Sequence, residues 1–267
     1  MKYLIYLFII LGTISCKFIE RKPIELKLDE SAQKYVIEAD LYEGVNDFNV
    51  KITKSTSYYD NNKVEYISGA TVSITNENGD VTVLNESTSD KGIYGVVDYT
   101  ATAGENYRLK INFEDGTSTE SEAIVPHNTE ILSLFFEFQD VSQFNETAGY
   151  VPFIFYFDDQ EKDNFYRLIL TKDGEKLDSY NDLFFFDDEL IAKEVVVPYY
   201  EVIEKDKEVT IDLVSMNEST FNYLVQINEI IGGTSSAAPA NPENNFSGDV
   251  LGNFNAYSVS SVTGVAK

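Results

Sequence analysis

The sequence predicts an all-β protein that consists of two β-sandwich-like domains, with one helix in the second. The 267-residue chain contains 18 Tyr and 18 Phe, and its 15 Gly punctuate many short segments. Within these segments, apolar and polar residues alternate. Aromatic residues favour strands, and an alternation with period two is typical of a strand that buries one face.

The first half of the chain contains the most regular strands. Residues 35–41 and 107–113 place apolar side chains at every second position. A turn at residues 76–80 contains Gly79, which supplies the positive φ of a tight reversal and predicts a hairpin. We therefore expect residues 31–125 to form an Ig-like or carboxypeptidase-regulatory-like β-sandwich.

The second half of the chain is richer in aromatic residues. Pro126 lacks an amide donor and forces extended geometry, so we place a domain boundary there and predict a second β domain over residues 129–267. Residues 151–157 are apolar at nearly every position, which predicts that both faces of this strand are covered. A capping-box pattern that starts at Ser215, followed by apolar residues at helical intervals, predicts a helix near residues 216–231.

The N-terminus has the pattern of a secretory signal over residues 1–15. Lys2 precedes an apolar run that is shorter than the roughly 20 residues of a membrane-spanning helix. Cys16 is the only cysteine, and it stands where a lipoprotein signal peptidase would make it the first mature residue. We expect fatty acyl chains such as palmitate on Cys16, followed by a lipidated tether over residues 16–30. The alternative is a buried cysteine in an uncleaved segment.

The residue after Cys16 bears on the destination of the protein. In many double-membrane bacteria an Asp at this position retains a lipoprotein in the inner membrane, whereas this chain has Lys17. We therefore expect an outer-membrane protein held by its lipid anchor, whose body faces either the periplasm or the cell surface.

The formal net charge of the chain is −25. Such a charge repels nucleic acid and anionic lipid surfaces, so we expect no nucleic-acid partner. A well-solvated surface of an exported protein accounts for the same charge.

Histidine and cysteine, on which many catalytic and zinc sites depend, occur once each in the chain. His127 is the sole histidine, it lies beside Pro126, and no Gly-x-Ser-x-Gly elbow accompanies it. One His and one Cys cannot supply the three or four such ligands of a zinc site. We therefore expect a protein that is not an enzyme and has no cofactor.

Two acidic clusters are candidate sites nevertheless. Asp158, Asp159, Glu161 and Asp163 follow one predicted strand, and residues 187–189 follow another. Carboxylate oxygens bind calcium, which makes calcium a candidate ligand of the first cluster, while a solvated acidic loop is the alternative. Two carboxylates about 5 to 9.5 Å apart could instead hydrolyse glycosides, so a carboxylate-dependent hydrolase is a further hypothesis.

Adjacent tyrosines form another candidate site. Tyr58 and Tyr59 occupy a predicted loop, where binding residues concentrate, and their rings could stack on a sugar or hold a peptide. Tyr199 and Tyr200 form a second such pair. Packing in the core or at a sheet edge is the alternative for both pairs.

Several short segments occur in an order typical of one family. They lie at residues 35–39, 67–72, 92–94, 104–107 and 245–259. The chain resembles the Bacteroidota lipoproteins of domain-of-unknown-function family 4249, although Asp249 and Asn253 depart from the usual closing pattern of Ser-Gly-Gly and Gly-Tyr-Phe. The resemblance implies an outer-membrane lipoprotein that is typically encoded near TonB-dependent transporters, with no established enzymatic activity and no catalytic residues to carry over.

Two hypotheses about function follow. The first is a non-enzymatic accessory or binding subunit that docks on the barrel of a TonB-dependent nutrient transporter. The second is an autonomous lipoprotein that binds a saccharide or a peptide.

Overall fold

The computed structural model describes residues 33–56, 64–140, 148–157, 164–179, 182–188, 194–231 and 241–267. These residues form sixteen strands and one helix, which confirms the predicted all-β class. The strands are β1 (Tyr35–Tyr42), β2 (Gly44–Lys54), β3 (Glu65–Tyr66), β4 (Thr71–Thr75), β5 (Val81–Glu86), β6 (Ile93–Ala101), β7 (Asn106–Asn112), β8 (Ser118–Ile124), β9 (Ile131–Gln139), β10 (Gly149–Phe157), β11 (Phe165–Lys172), β12 (Glu175–Leu177), β13 (Phe184–Asp187), β14 (Glu194–Pro198), β15 (Glu208–Met216) and β16 (Leu251–Val265). The helix is α1 (Glu218–Ile231).

The described strands belong to two sheets. The larger sheet has 13 strands, with the order β12-β11-β15-β16-β1-β2-β6-β5-β4-β7-β8; in addition, β13 pairs with β11 and β3 pairs with β2. The smaller sheet has the order β14-β10-β9. Among the residues that the structure describes, there is no helix with the length and apolarity needed to cross a membrane.

The first core is formed by the part of the larger sheet that runs from β16 to β8. Strands β16, β1, β2 and β6 contribute one side, and β5, β4, β7 and β8 contribute the other. The largest fully buried members are Ile37, Leu41, Phe48, Ile52, Ile74, Tyr94, Tyr107, Leu109, Ile111 and Phe254. Each such side chain contributes about 1.5–3 kcal/mol by leaving water.

The second core lies between β11, β15 and the end of β16 on one side and the small sheet on the other. Its fully buried members include Ile154, Leu168, Leu170, Ile211 and Leu213. The opposite face of β11, β15 and β16 is covered by α1, and Leu224 of the helix packs there with Val214 and Tyr257.

The helix lies where the sequence predicts it, but its cap differs. Ser215 belongs to β15 and pairs with Ser258 of β16, so it cannot act as the cap. Instead the side-chain oxygen of Asn217 accepts a hydrogen bond of 2.9 Å from the backbone N–H of Thr220.

The C-terminal strand β16 joins the two halves of the chain. Its first part, Leu251 to Tyr257, pairs in parallel with β1, and its second part, Tyr257 to Val265, pairs antiparallel with β15. Phe254 therefore belongs to the first core and Ala266 to the second.

Residues Gln33–Lys267 form one compact unit. The domain boundary at Pro126 stays a prediction.

Candidate functional site

Three of the predicted sites lie outside the described residues. This holds for the lipidation site, the loop tyrosines and the first acidic cluster, so their roles stay predictions. The residues are Cys16, Tyr58, Tyr59, Asp158, Asp159, Glu161 and Asp163.

The described part of the second acidic cluster has a structural role. The carboxylate of Asp188 is buried and accepts hydrogen bonds from the backbone N–H and the side-chain amide of Asn164, at 2.9 and 2.7 Å. These bonds join the start of β11 to the end of β13. Over the described ranges, no three His, Cys, Asp or Glu residues are grouped so that they could hold a metal ion.

Three further sequence candidates, His127, Tyr199 and Tyr200, lie within the described residues. Two atoms of the His127 ring lie 3.1 Å from the position that a Cβ on Gly104 would take, so the ring packs on this turn. Tyr199 is buried in the second core, whereas Tyr200 is 79 % exposed.

The small sheet has an apolar outer face that faces solvent. The strand registers place Phe135, Phe153 and Pro198 in one row across β9, β10 and β14, and Val196 in the next row. The rings of Phe135 and Phe153 stack at a centroid distance of 5.3 Å. Phe135 is 36 % exposed and Val196 52 % exposed, whereas Ile154 on the opposite face is fully buried. On β10 itself, Val151 is buried and Phe153 and Phe155 are half-buried, so the prediction that both faces of this strand are covered is confirmed for the inner face and in part for the outer face.

A row of polar side chains crosses the outer face of β16 and β1. The side-chain amide of Asn253 donates to Asn255, and that of Asn255 donates to the Asp40 carboxylate at 2.7 Å. Asn253 is 2 % exposed and Asn255 8 % exposed. Because a buried amide without a partner costs free energy, these bonds make the row tolerable within the sheet.

Asp40 ends the polar row beside Tyr42. Desolvation raises the pKa of Asp40, and the charge of Glu38 adds to this effect, whereas the hydrogen bond from Asn255 and the charge of Arg167 act against it. Asp40 is exposed to solvent, which limits this desolvation. Desolvation and the neighbouring Asp40 also raise the pKa of Tyr42 to about 12, so this phenol stays neutral at physiological pH.

The raised pKa of Asp40 gives a testable pH dependence. Because the folded protein binds the Asp40 proton more tightly than the unfolded chain, ionisation of Asp40 destabilises the fold as pH rises through its folded pKa. We expect Asp40→Asn to be more stable than the native chain at pH 7, with a difference that vanishes below the unfolded pKa of about 4. Urea unfolding from pH 3 to pH 8 measures this difference.

Asp115 provides a control of opposite sign. Hydrogen bonds from Thr117 and Tyr35 lower the pKa of Asp115, so its contribution is present above the unfolded pKa and is lost as pH falls through the folded value. Asp115→Asn should therefore be less stable than the native chain at pH 7. A stability difference for Asp40→Asn that does not change with pH would contradict the prediction.

A polar cavity of about 290 Å³ lies between the start of α1 and β16. The described residues that line it all have polar side chains. They are Glu218, Ser219, Asn222, Tyr223, Glu243, Asn244, Asn245 and Asn253.

Two of the lining residues hold the cavity in shape. The side chain of Asn245 donates to the carbonyl of Phe254 and accepts from its N–H, at 2.7 and 2.9 Å. Asn244 donates to the carbonyl of Val250 and accepts from the N–H of Phe246. These bonds fix the segment before β16 against the strand, so the wall of the cavity is built before any ligand enters.

The predicted site residues do not include Asn253 and Asn255. The available signal was the presence of two amides at alternate positions in the otherwise apolar segment 250–257. Asn253 attracted notice only as a departure from a family pattern.

Comparisons with known proteins identify a family but no activity. No curated protein matches the chain. Among solved structures, a cytokine receptor complex has 6 % identity and a TM-score of 0.28, with 86 % of this chain and 97 % of that chain covered. A DUF4785 family protein from Legionella pneumophila has 11 % identity and a TM-score of 0.25, with 70 % and 52 % covered. TM-scores this low support no argument about fold or function.

The profile of the domain of unknown function DUF4249 matches residues 21–263, and the chain therefore belongs to the DUF4249 family.

Proposed function

We propose that this protein is a lipid-anchored outer-membrane lipoprotein of the Bacteroidota type. In this proposal it is a non-enzymatic accessory or binding subunit that docks on the barrel of a TonB-dependent nutrient transporter. Cys16 carries the lipid anchor, since it is the only cysteine and follows a secretory signal. Two or more acyl chains on this residue would hold the protein firmly, because each buried CH₂ contributes about 0.8 kcal/mol.

The observation that carries the docking proposal is the outer face of the small sheet. Phe135 and Val196 expose apolar surface beside Phe153 and Pro198 on a face without charged side chains in those two rows. Exposed apolar patches on a folded protein mark sites of interaction with a protein or a membrane. A protein partner that covers this face would remove the aromatic surface from water, while the exposed Glu137, opposite Val151 in the adjacent row, would lie at the rim of the contact.

A pull-down from gently solubilised outer membranes tests the proposal. The tagged native chain is compared with Phe135→Glu, which places a charge in the apolar face, and with Val83→Glu. Val83 is 55 % exposed on β5, so its substitution makes the same chemical change away from the small sheet. We expect the native chain and Val83→Glu to recover a transporter barrel, and Phe135→Glu to recover about tenfold less.

A Cys16→Ala variant tests the anchor in the same experiment. We expect metabolic labelling with palmitate to mark the native chain and not the variant, and the variant to leave the membrane fraction. Equal recovery of a barrel by Phe135→Glu and the native chain would refute docking through this face. Recovery of no partner by a native chain that stays in the outer membrane would favour an autonomous binding lipoprotein instead.

A further inference from the structure

We propose that the cavity between α1 and β16 binds one ring of a small neutral saccharide. This inference goes beyond docking on a transporter and does not depend on it, because the cavity and the apolar face of the small sheet lie on different elements. It assigns a ligand class to a site that the sequence does not single out.

The size of the cavity limits the ligand. Pockets for drug-sized ligands begin at about 300 Å³, so a cavity of about 290 Å³ fits a compact molecule at the lower end of that range. A sugar ring fits this description. An extended peptide would place most of its length outside.

The arrangement of the lining residues also suits a sugar ring. Glu218, Ser219, Asn222 and Glu243 are exposed, so they form a polar rim that a ligand reaches from solvent. Carboxylates accept hydrogen bonds from hydroxyl groups, while amides and hydroxyls both donate and accept. The hydroxyl groups of a sugar can use all of these atoms.

The floor of the cavity supplies a buried polar group. Asn253 is 2 % exposed, and its side chain makes one hydrogen bond within the described residues, the donation to Asn255. Its side-chain oxygen and its second N–H are therefore left for a ligand. A buried amide with unused hydrogen-bonding capacity is costly, and a bound hydroxyl group that pairs with it would recover that cost.

The charges of the lining argue against other small ligands. The described residues that line the cavity include no Lys or Arg, and Glu218 and Glu243 would repel an anion. A calcium site needs six to eight oxygen ligands, most often with several carboxylates, whereas only two carboxylates line this cavity. The amides Asn244 and Asn245 are already engaged by the backbone. A neutral polyhydroxylated ligand can pair with the exposed rim residues Asn222, Glu218 and Glu243 and with the side chain of Asn253.

Isothermal titration calorimetry on the purified full-length chain in detergent tests the proposal. The probes are glucose, galactose, mannose, N-acetylglucosamine and maltose, with calcium chloride alone as a separate titration. We expect at least one sugar to bind with a dissociation constant of about 1 mM or tighter. Asn253→Tyr fills the cavity with a ring and should weaken that binding about tenfold or more.

Two further variants keep the test decisive. Asn112→Tyr makes the same substitution at an exposed position of β7, and it should bind as the native chain does. Asn222→Ala removes an amide from the rim at an exposed helix position, so it should keep the fold and lose affinity even if Asn253→Tyr fails to fold. No heat from any sugar, heat from calcium alone, or equal affinity in the folded Asn222→Ala variant would overturn the proposal.

Discussion

Gly252→Ala is expected to destabilise the fold by about 3 kcal/mol or more. Gly252 has a φ of +106°, and a Cβ at this position would lie 1.8 Å from the carbonyl oxygen of Ile37 and 2.7 Å from its N and C atoms. The obstacle is the backbone of β1, which is buried in the first core and cannot rotate away. Strain at the residue and overpacking against the neighbouring strand therefore add to one another. Urea unfolding followed by circular dichroism measures the loss.

Gly79→Ala is the matched control for Gly252→Ala. Gly79 has a φ of +86°, but no atom lies within 4 Å of the position that its Cβ would take. The substitution therefore costs only the conformational term of about 1–2 kcal/mol. Similar losses for the two variants would mean that β16 does not approach β1 as closely as described.

Phe254→Ala is expected to cost about 3–5 kcal/mol in the free energy of unfolding. Phe254 is 0 % exposed in the first core, and its ring centroid lies 6.1 Å from that of Phe48. Removing the ring loses its transfer free energy and leaves a cavity that the surrounding strands of the first core cannot close. The midpoint and slope of urea unfolding give the change in stability.

Phe138→Ala makes the same change at a surface position. Phe138 is 62 % exposed at the edge of the small sheet, where its ring contacts Tyr150 edge to face. We expect a loss of about 1 kcal/mol or less. A loss for Phe254→Ala no larger than that for Phe138→Ala would contradict the position of β16 in the first core.

The candidate surfaces could be read from the sequence only in part. The apolar residues on both faces of 151–157 signalled an unusual strand, but the sequence predicted that both faces are covered. On β10 the outer face is partly covered, with Phe153 and Phe155 half-buried, whereas Phe135 and Val196 on the neighbouring strands stay exposed because only the inner face of the small sheet packs on the second core. The lining of the cavity comes from three segments between Glu218 and Asn253 that fold together, so no local pattern reveals it.

The sequence by itself determined the local structure. Alternation in β1 and β7 identifies these strands and the side chains that face the core, because successive residues of a strand point to opposite faces. The hairpin predicted at Gly79 joins β4 to β5, and its turn is closed by Asn76, which accepts a hydrogen bond from the backbone N–H of Asp80. Periodicity and capping likewise identify α1 to within a few residues.

Only the tertiary structure decided how β16 is used. This strand pairs in parallel with β1 at one end and antiparallel with β15 at the other, and the bond between Asn255 and Asp40 spans 215 positions of the chain. Local propensity acts over a few residues, whereas the choice of partner strand depends on which distant apolar faces are buried together in one core. For this reason a pair of asparagines in an apolar strand could be read from the sequence, but their burial beneath a polar cavity could not.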